Sequence, residues 1–201
     1  MALQRSEELR QTFMQEMTIY NRDMFVFVDE MGSDRRDSLR KFGYSLRGKP
    51  ARPRKLLVRG KRVSAIGVLS TSGMLDCHIV EGTVNADRFE EFVEKSLLPR
   101  AHLCPFNGIN PQSVVVMDNC SIHHVERVVE LIESTGALVI FLPPYSPDFN
   151  PIEEAFAKVK AYLKANEMVV QATDDITEMV LMAFATITQE DCLGWIEHSG
   201  Y

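Results

Sequence analysis

The sequence predicts an α/β fold, a mixed five-stranded sheet with helices on both faces. Two observations carry that prediction. Two apolar runs meet at a Ser72-Gly73 turn, which marks an antiparallel hairpin. Helices and apolar strand-length runs then alternate to the end of the chain, the pattern of a sheet covered on both sides.

The elements follow in order. Residues 1–20 form a helix, because Leu9, Phe13, Met17 and Tyr20 recur at helical spacing. Met24 to Val28 is a buried strand that ends at Asp29. The stretch from Arg35 to Arg62 is broken by Gly43, Gly48, Pro50, Pro53 and Gly60 and is largely loop. Arg62–Ser70 and Leu75–Glu81 are the hairpin strands. Asn85 caps a helix to Leu98 whose apolar face is Phe89, Phe92, Val93 and Leu97. Residues 104–112 are loop. Val114–Met117 is a strand that stops at Asp118, and His124–Ser134 is a helix that Gly136 terminates. Ala137–Leu142 is the fifth strand. Asn150 caps a helix with Pro151 in its first position and Ile152, Phe156, Val159 and Leu163 on its inner face. A last helix covers Asp174–Thr188.

The chain of 201 residues suits one domain with a full core, and 45% hydrophobic with 25% charged residues is ordinary globular composition. No apolar run approaches the roughly 20 residues that span a bilayer, and the polar N-terminus is no secretory signal. Cys77, Cys104, Cys120 and Cys192 form no zinc-type spacing and read as reduced thiols of an intracellular protein. The net charge of −6 hides a strong asymmetry. Arg35, Arg36, Arg40, Lys41, Arg47, Lys49, Arg52, Arg54, Lys55, Arg59, Lys61 and Arg62 share their window with one acid, Asp37. That window carries +11 and the rest of the chain −17. A basic segment on an acidic body is suited to a phosphate backbone, so these twelve residues are the expected DNA contacts.

Three carboxylates stand where chemistry is expected. Asp29 and Asp118 end predicted strands, and ligands of open α/β sheets gather beyond the carboxyl ends of strands. Glu153 lies in the first turn of a helix, where the dipole favours a negative charge. Clustered carboxylates repel one another unless a cation intervenes. Magnesium, with oxygen ligands, suits that set, and two such ions about 3.5–4 Å apart promote in-line attack on a phosphodiester.

Three blocks resemble the signature motifs of mariner-type DDE transposases and their insertion-sequence relatives. They are Val28-Asp29-Glu30, the run from Met117 to His123, and the run from Leu142 to Glu153, which holds four of the nine prolines. Thirty-four residues separate Asp118 from Glu153, a spacing this superfamily uses. The resemblance extends from Met24 to the closing Trp195 and Gly200-Tyr201. It implies a ribonuclease H-like fold over residues 24–201, preceded by a helix and linker, 1–23. It also implies that Asp29, Asp118 and Glu153 hold two Mg2+ or Mn2+ ions, cut double-stranded DNA and join the freed 3′ end to a target. Asn119 and His123 match motif positions beside the second aspartate and are expected to orient it. The partner is DNA, with a homodimer or larger transposition complex and no membrane. The place of action is the nucleus of a eukaryote or otherwise the cytoplasm.

Residues 1–23 show no helix-turn-helix module, so recognition of transposon ends is not expected from them. An alternative reading is a domesticated or degraded transposase-derived DNA-binding protein without transposition activity. Glu154 and Asp148 compete with Glu153 as third ligand, and only the motif separates them. Glu30 should face away from Asp29 across the extended strand. His123 and His124 read as capping or hydrogen-bonding groups, and Trp195 as packing.

Overall fold

The computed structural model describes residues 6–39, 44–50, 60–120, 123 and 125–201. Five strands make one sheet in the order β3-β2-β1-β4-β5. They are β1 (Phe25–Ser33), β2 (Val63–Ser70), β3 (Gly73–Glu81), β4 (Val114–Met117) and β5 (Leu138–Phe141). The β1–β2 and β2–β3 pairs are antiparallel, and β1–β4 and β4–β5 are parallel. The expected mixed five-stranded sheet is therefore present. The hairpin turn falls one residue early: Ser70 pairs with Gly73, which takes a left-handed φ of 114° that only glycine adopts without strain.

Alternation along the strands builds two cores. Phe25, Phe27, Ala65, Leu69 and Val116 face α1 (Glu7–Met17) and α5 (Ile152–Ala165), with α6 (Glu167–Ala172), α7 (Thr177–Phe184) and α8 (Gln189–His198) completing that layer. Val26, Val28, Ile66, Val68, Val115 and Met117 face the other way. There they meet α2 (Ala86–Phe92), its π-helical continuation Val93–Leu97 leading into α3 (Leu98–Arg100), and α4 (Glu126–Glu133). The period of two in β1 thus sends successive residues to opposite layers.

The C-terminal region departs from expectation. The helix expected over Asp174–Thr188 is the shorter α7, and α8 follows beyond it, where the sequence predicts no element. Helix α7 closes at Ala185, and Thr188 opens α8 with a capping box in which Thr188 and Asp191 bond each other's backbone N–H groups. Helix α6 fills a stretch for which the sequence predicts no element. Of the helix expected over 1–20, residues 1–5 lie outside the described residues; α1 spans Glu7–Met17 and buries Phe13 and Met17 in the α5-side core. No helix among the described residues is long and apolar enough to cross a membrane.

Candidate active site

Asp29 lies on β1 in the same alternation as Phe25 and Phe27, so its carboxylate faces the α5 layer. The parallel register Val28–Met117 brings β4 to its end beside it, and Asp118 follows immediately. Helix α5 starts over the same end of the sheet and carries Glu153 in its first turn. Its close approach depends on Gly67, the partner of Asp29 across β2. A Cβ there would stand 2.9 Å from Ile152 Cδ1 and 3.2 Å from Phe156 Cε1, inside van der Waals contact. Asp29, Asp118 and Glu153 thereby line one cavity of about 510 Å³, which the Leu142–Pro147 turn, Asn119, Cys120 and Asn150 complete.

The electrostatics of this cavity are those of an anion cluster that His123 and Lys160 compensate only in part. Burial and then the charges of Asp118, Glu30 and Glu153 raise the Asp29 carboxyl well above its usual range, against a lowering bond from the Glu30 N–H. Burial also raises Glu153; Lys160 opposes this, while Asp118 and Glu30 add to it. A hard divalent cation would remove this repulsion, and three carboxylates are the oxygen donors it prefers. Among the described residues no group of three His, Cys, Asp or Glu side chains is already gathered as a metal site. The Asp118 Oδ1 meets His123 Nδ1 at 2.6 Å and accepts the Cys120 N–H at 3.0 Å.

The partners of the carboxylates come from both layers. Glu30 faces the layer opposite Asp29, where its Oε2 meets His123 Nε2 at 2.8 Å. His123 is fully buried, with its ring 4.5 Å from Phe89. Burial opposes its charge, but the bonds to Asp118 and Glu30 prevail and push the imidazole up to about 10. His124 lies outside the described residues. Asn119 is exposed at the cavity wall. Asn150, read from sequence as a side-chain cap, instead donates its amide N–H to Asp29 Oδ2 at 2.9 Å. Only its backbone carbonyl serves the helix, accepting from the Glu153 N–H. The other Asp29 oxygen accepts the Glu30 N–H at 2.7 Å.

The rival acids are engaged elsewhere. Glu154 Oε1 pairs with His198 Nδ1 at 2.6 Å, and Asp148 pairs with Arg10. Sequence reasoning does not single out Tyr145. It stands 56% exposed at the cavity rim with a left-handed φ of 58°, strained for a residue with a Cβ.

The basic segment divides. Arg40, Lys41, Arg52, Arg54, Lys55 and Arg59 lie outside the described residues. Arg35, expected to meet DNA, is 5% exposed and donates to Asp174 at 2.9 Å, so its role is to anchor the turn after β1. The Gln171 side chain also bonds the Arg35 carbonyl, which ties the same turn to α6. Arg36 is bound to Asp34, and Lys61 to Glu81 at 3.1 Å. Arg47 and Lys49 are exposed, and Arg62 is exposed next to Gly32.

Asp29 stands in the middle of β1, which runs on to Ser33 in its pairing with β2 instead of ending at the acid; with Asp118 just past the end of β4 and Glu153 in the first turn of α5 it makes one anion cluster on a mixed sheet, the α/β arrangement expected of a ribonuclease H-like fold. The family model of the DDE superfamily endonucleases matches residues 24–174, and the chain belongs to that family. No curated protein matches the sequence significantly. Among solved structures, the fold resembles the Mos1 transposase paired-end complex with left transposon end, at TM-score 0.62 and 19% identity over 96% of this chain. It also resembles the Mos1 strand transfer complex (TM-score 0.60, 19% identity, 96% of this chain and 60% of that one). A third likeness is the Mos1 mariner paired-end complex with Mn (TM-score 0.58, 20% identity, 96% of this chain and 61% of that one). The chain spans 61% of the length of the first of these.

Proposed function

We infer that this chain is a transposase-type DDE nuclease domain, over residues 24–201, that cuts double-stranded DNA and transfers the freed 3′ end. One observation carries the reading: Asp29 from β1, Asp118 from the end of β4 and Glu153 from the start of α5 line a single cavity whose unbalanced charge calls for a cation. Two Mg2+ or Mn2+ ions held by these three carboxylates would supply neutralisation of the phosphodiester and activation of the attacking hydroxyl.

The remaining work falls to the protein. Asn150 and the Glu30 N–H hold Asp29 by both oxygens, which fixes its rotamer. His123 restrains Asp118 from behind, and Glu30 restrains His123. The helix dipole of α5 supports the charge on Glu153. The basic window between Arg36 and Arg62 offsets the acidic body and holds the phosphate backbone, without Arg35. The solved likenesses are complexes with paired or joined ends, which favours assembly of two or more copies on DNA. The place of action follows the substrate, the nucleus of a eukaryote or otherwise the cytoplasm.

Nicking of labelled duplex DNA against an RNA–DNA hybrid, with and without magnesium, tests this reading. Magnesium-dependent nicking of duplex is expected, and calcium should bind with little turnover because its looser coordination gives poor in-line geometry. Cutting confined to the hybrid would overturn the assignment in favour of a ribonuclease.

A further inference from the structure

Residues 1–23 precede the segment that the family model matches, yet α1 reaches the active-site turn. Arg10 lies on the inner face of α1 and is 7% exposed. Its Nη1 and Nη2 donate to Asp148 Oδ1 and Oδ2 at 3.1 and 2.7 Å. The guanidinium also lies 3.8 Å above the centroid of the Phe149 ring, and Phe13 stacks on that ring at 5.7 Å with a 15° tilt. From below, the Tyr201 hydroxyl donates to the Phe149 carbonyl at 2.9 Å. The next residue, Asn150, holds Asp29. Arg10 thus reaches the first carboxylate of the cavity through one short turn, from Asp148 at its centre to Asn150 at its close.

A buried arginine is a poor choice for mere adhesion of a helix. Its desolvation cancels much of the attraction to its partner, and an apolar side chain of similar size often holds as well. Arg10 Nε has no hydrogen-bond partner, so the arrangement is not tuned for greatest stability. What the planar fork adds is geometry: two parallel bonds fix both the place and the orientation of one carboxylate. Asp148 lies in the 3-10 turn Pro147–Phe149, and that turn delivers Asn150 to Asp29.

We propose that α1 belongs to the catalytic unit, with Arg10 as a positioning residue that clamps the Pro147–Asn150 turn so that Asn150 holds Asp29 for the cation. The proposal rests on the nuclease reading above. Arg10→Met keeps the apolar stem and removes the fork, and Arg10→Lys keeps the charge without the fork. The first readout is amide hydrogen exchange in the metal-free protein. The Phe149 and Asn150 N–H groups bond Ser146 and Pro147 carbonyls inside the turn, whereas amides of β1 and β2 report global opening. The second is Mn2+ affinity by calorimetry, well below the unfolding temperature.

In Arg10→Met the two turn amides should exchange at least about ten-fold faster with the strand amides unchanged, and Mn2+ should bind about 10- to 100-fold more weakly, the usual effect of losing an outer-shell support. Arg10→Lys should fall between this variant and wild type. If turn and strand amides accelerate together, or Mn2+ affinity is unaltered, α1 is only a stabilising helix and the proposal is overturned. Should Arg10→Met fail to fold, Asp148→Asn breaks the same pair from its more exposed side and is read by the same two measurements. Failure of the nuclease reading is distinguishable, because wild type itself would then bind no Mn2+.

Discussion

Gly67→Ala isolates the packing that sets the distance between α5 and the sheet. The added methyl would begin 2.9 Å from Ile152 Cδ1, 3.2 Å from Phe156 Cε1 and 3.4 Å from Met74 Cε. Carbon atoms settle at about 3.5–4.0 Å, so the Ile152 terminus must retreat by about 0.6–1.1 Å. Ile152 is fully buried and has little free space to turn into, so part of the retreat passes to the helix start. Overpacking of this kind costs about 1–3 kcal/mol. Replacing a strand glycine returns about 0.5–1 kcal/mol. The net loss of about 0–2.5 kcal/mol leaves the protein folded at 25 °C if its stability lies in the usual range of about 5–15 kcal/mol. Glu153 is the next residue along, and a displacement near 1 Å at a reacting centre costs up to about 100-fold in rate. Thermal melts and magnesium-dependent nicking measured on the same preparation should therefore separate: a fall in Tm of several degrees at most, with activity reduced by up to about ten-fold, since only part of the retreat reaches Glu153. A variant that melts lower yet nicks at the wild-type rate would refute the argument that Gly67 sets the site.

The other predictions concern DNA binding and pH. Replacing Arg52, Arg54 and Lys55 with alanine should weaken duplex binding on all sequences alike and flatten the slope of log K against log[salt], by about 0.9 for each phosphate that the variant no longer neutralises; unchanged affinity and slope would make the segment a solvated loop. Asp29 and Glu153 have folded-state pKa values raised above their unfolded ones, so their contribution to stability is present at low pH and is lost as pH rises through the raised values. Metal-free protein should then gain stability from these two groups on going from pH 8 toward 5, and saturating Mg2+ should remove that gain; melts that show the same pH trend with and without Mg2+ would count against the anion cluster. For His123 the window differs. Its folded pKa is raised from 6.5 to about 10, so its contribution is full below 6.5 and fades as pH climbs toward 10. His123→Ala should accordingly be most destabilising near about pH 6 and least near about pH 10, as read by denaturant melts.

The sheet is legible in the sequence because β1, β4 and β5 begin as apolar runs and Asp118 marks the end of β4; the far half of β1, from Glu30 to Ser33, is not, because polar residues and a glycine there hide a strand that β2 pairs. Helix α5 is legible from its inner stripe of Ile152, Phe156, Val159 and Leu163. Helix α8 is not, because it buries only Cys192 and Ile196, too few positions to set a helical period. The Thr188–Asp191 box is the available signal, with aspartate where glutamate is more usual. At the site, the three acids are found through motifs that name them. Their supports are not: Asn150 to Asp29, Glu30 to His123 and Arg10 to Asp148 join residues 121, 93 and 138 positions apart, and no local period encodes such pairs. Charge counting likewise cannot tell Arg35, which the fold buries beside Asp174, from the exposed Arg47 and Lys49.

The central claim is that Asp29, Asp118 and Glu153 form one cation-binding centre. Crystals soaked in MnCl2 test it directly through anomalous scattering at the manganese edge. Two peaks should stand between the three carboxylates, with Asp118 turned from His123 toward them, and the peaks should vanish in Asp118→Asn crystals. Manganese absent from that cavity, or held there without contact to Glu153, would contradict the account.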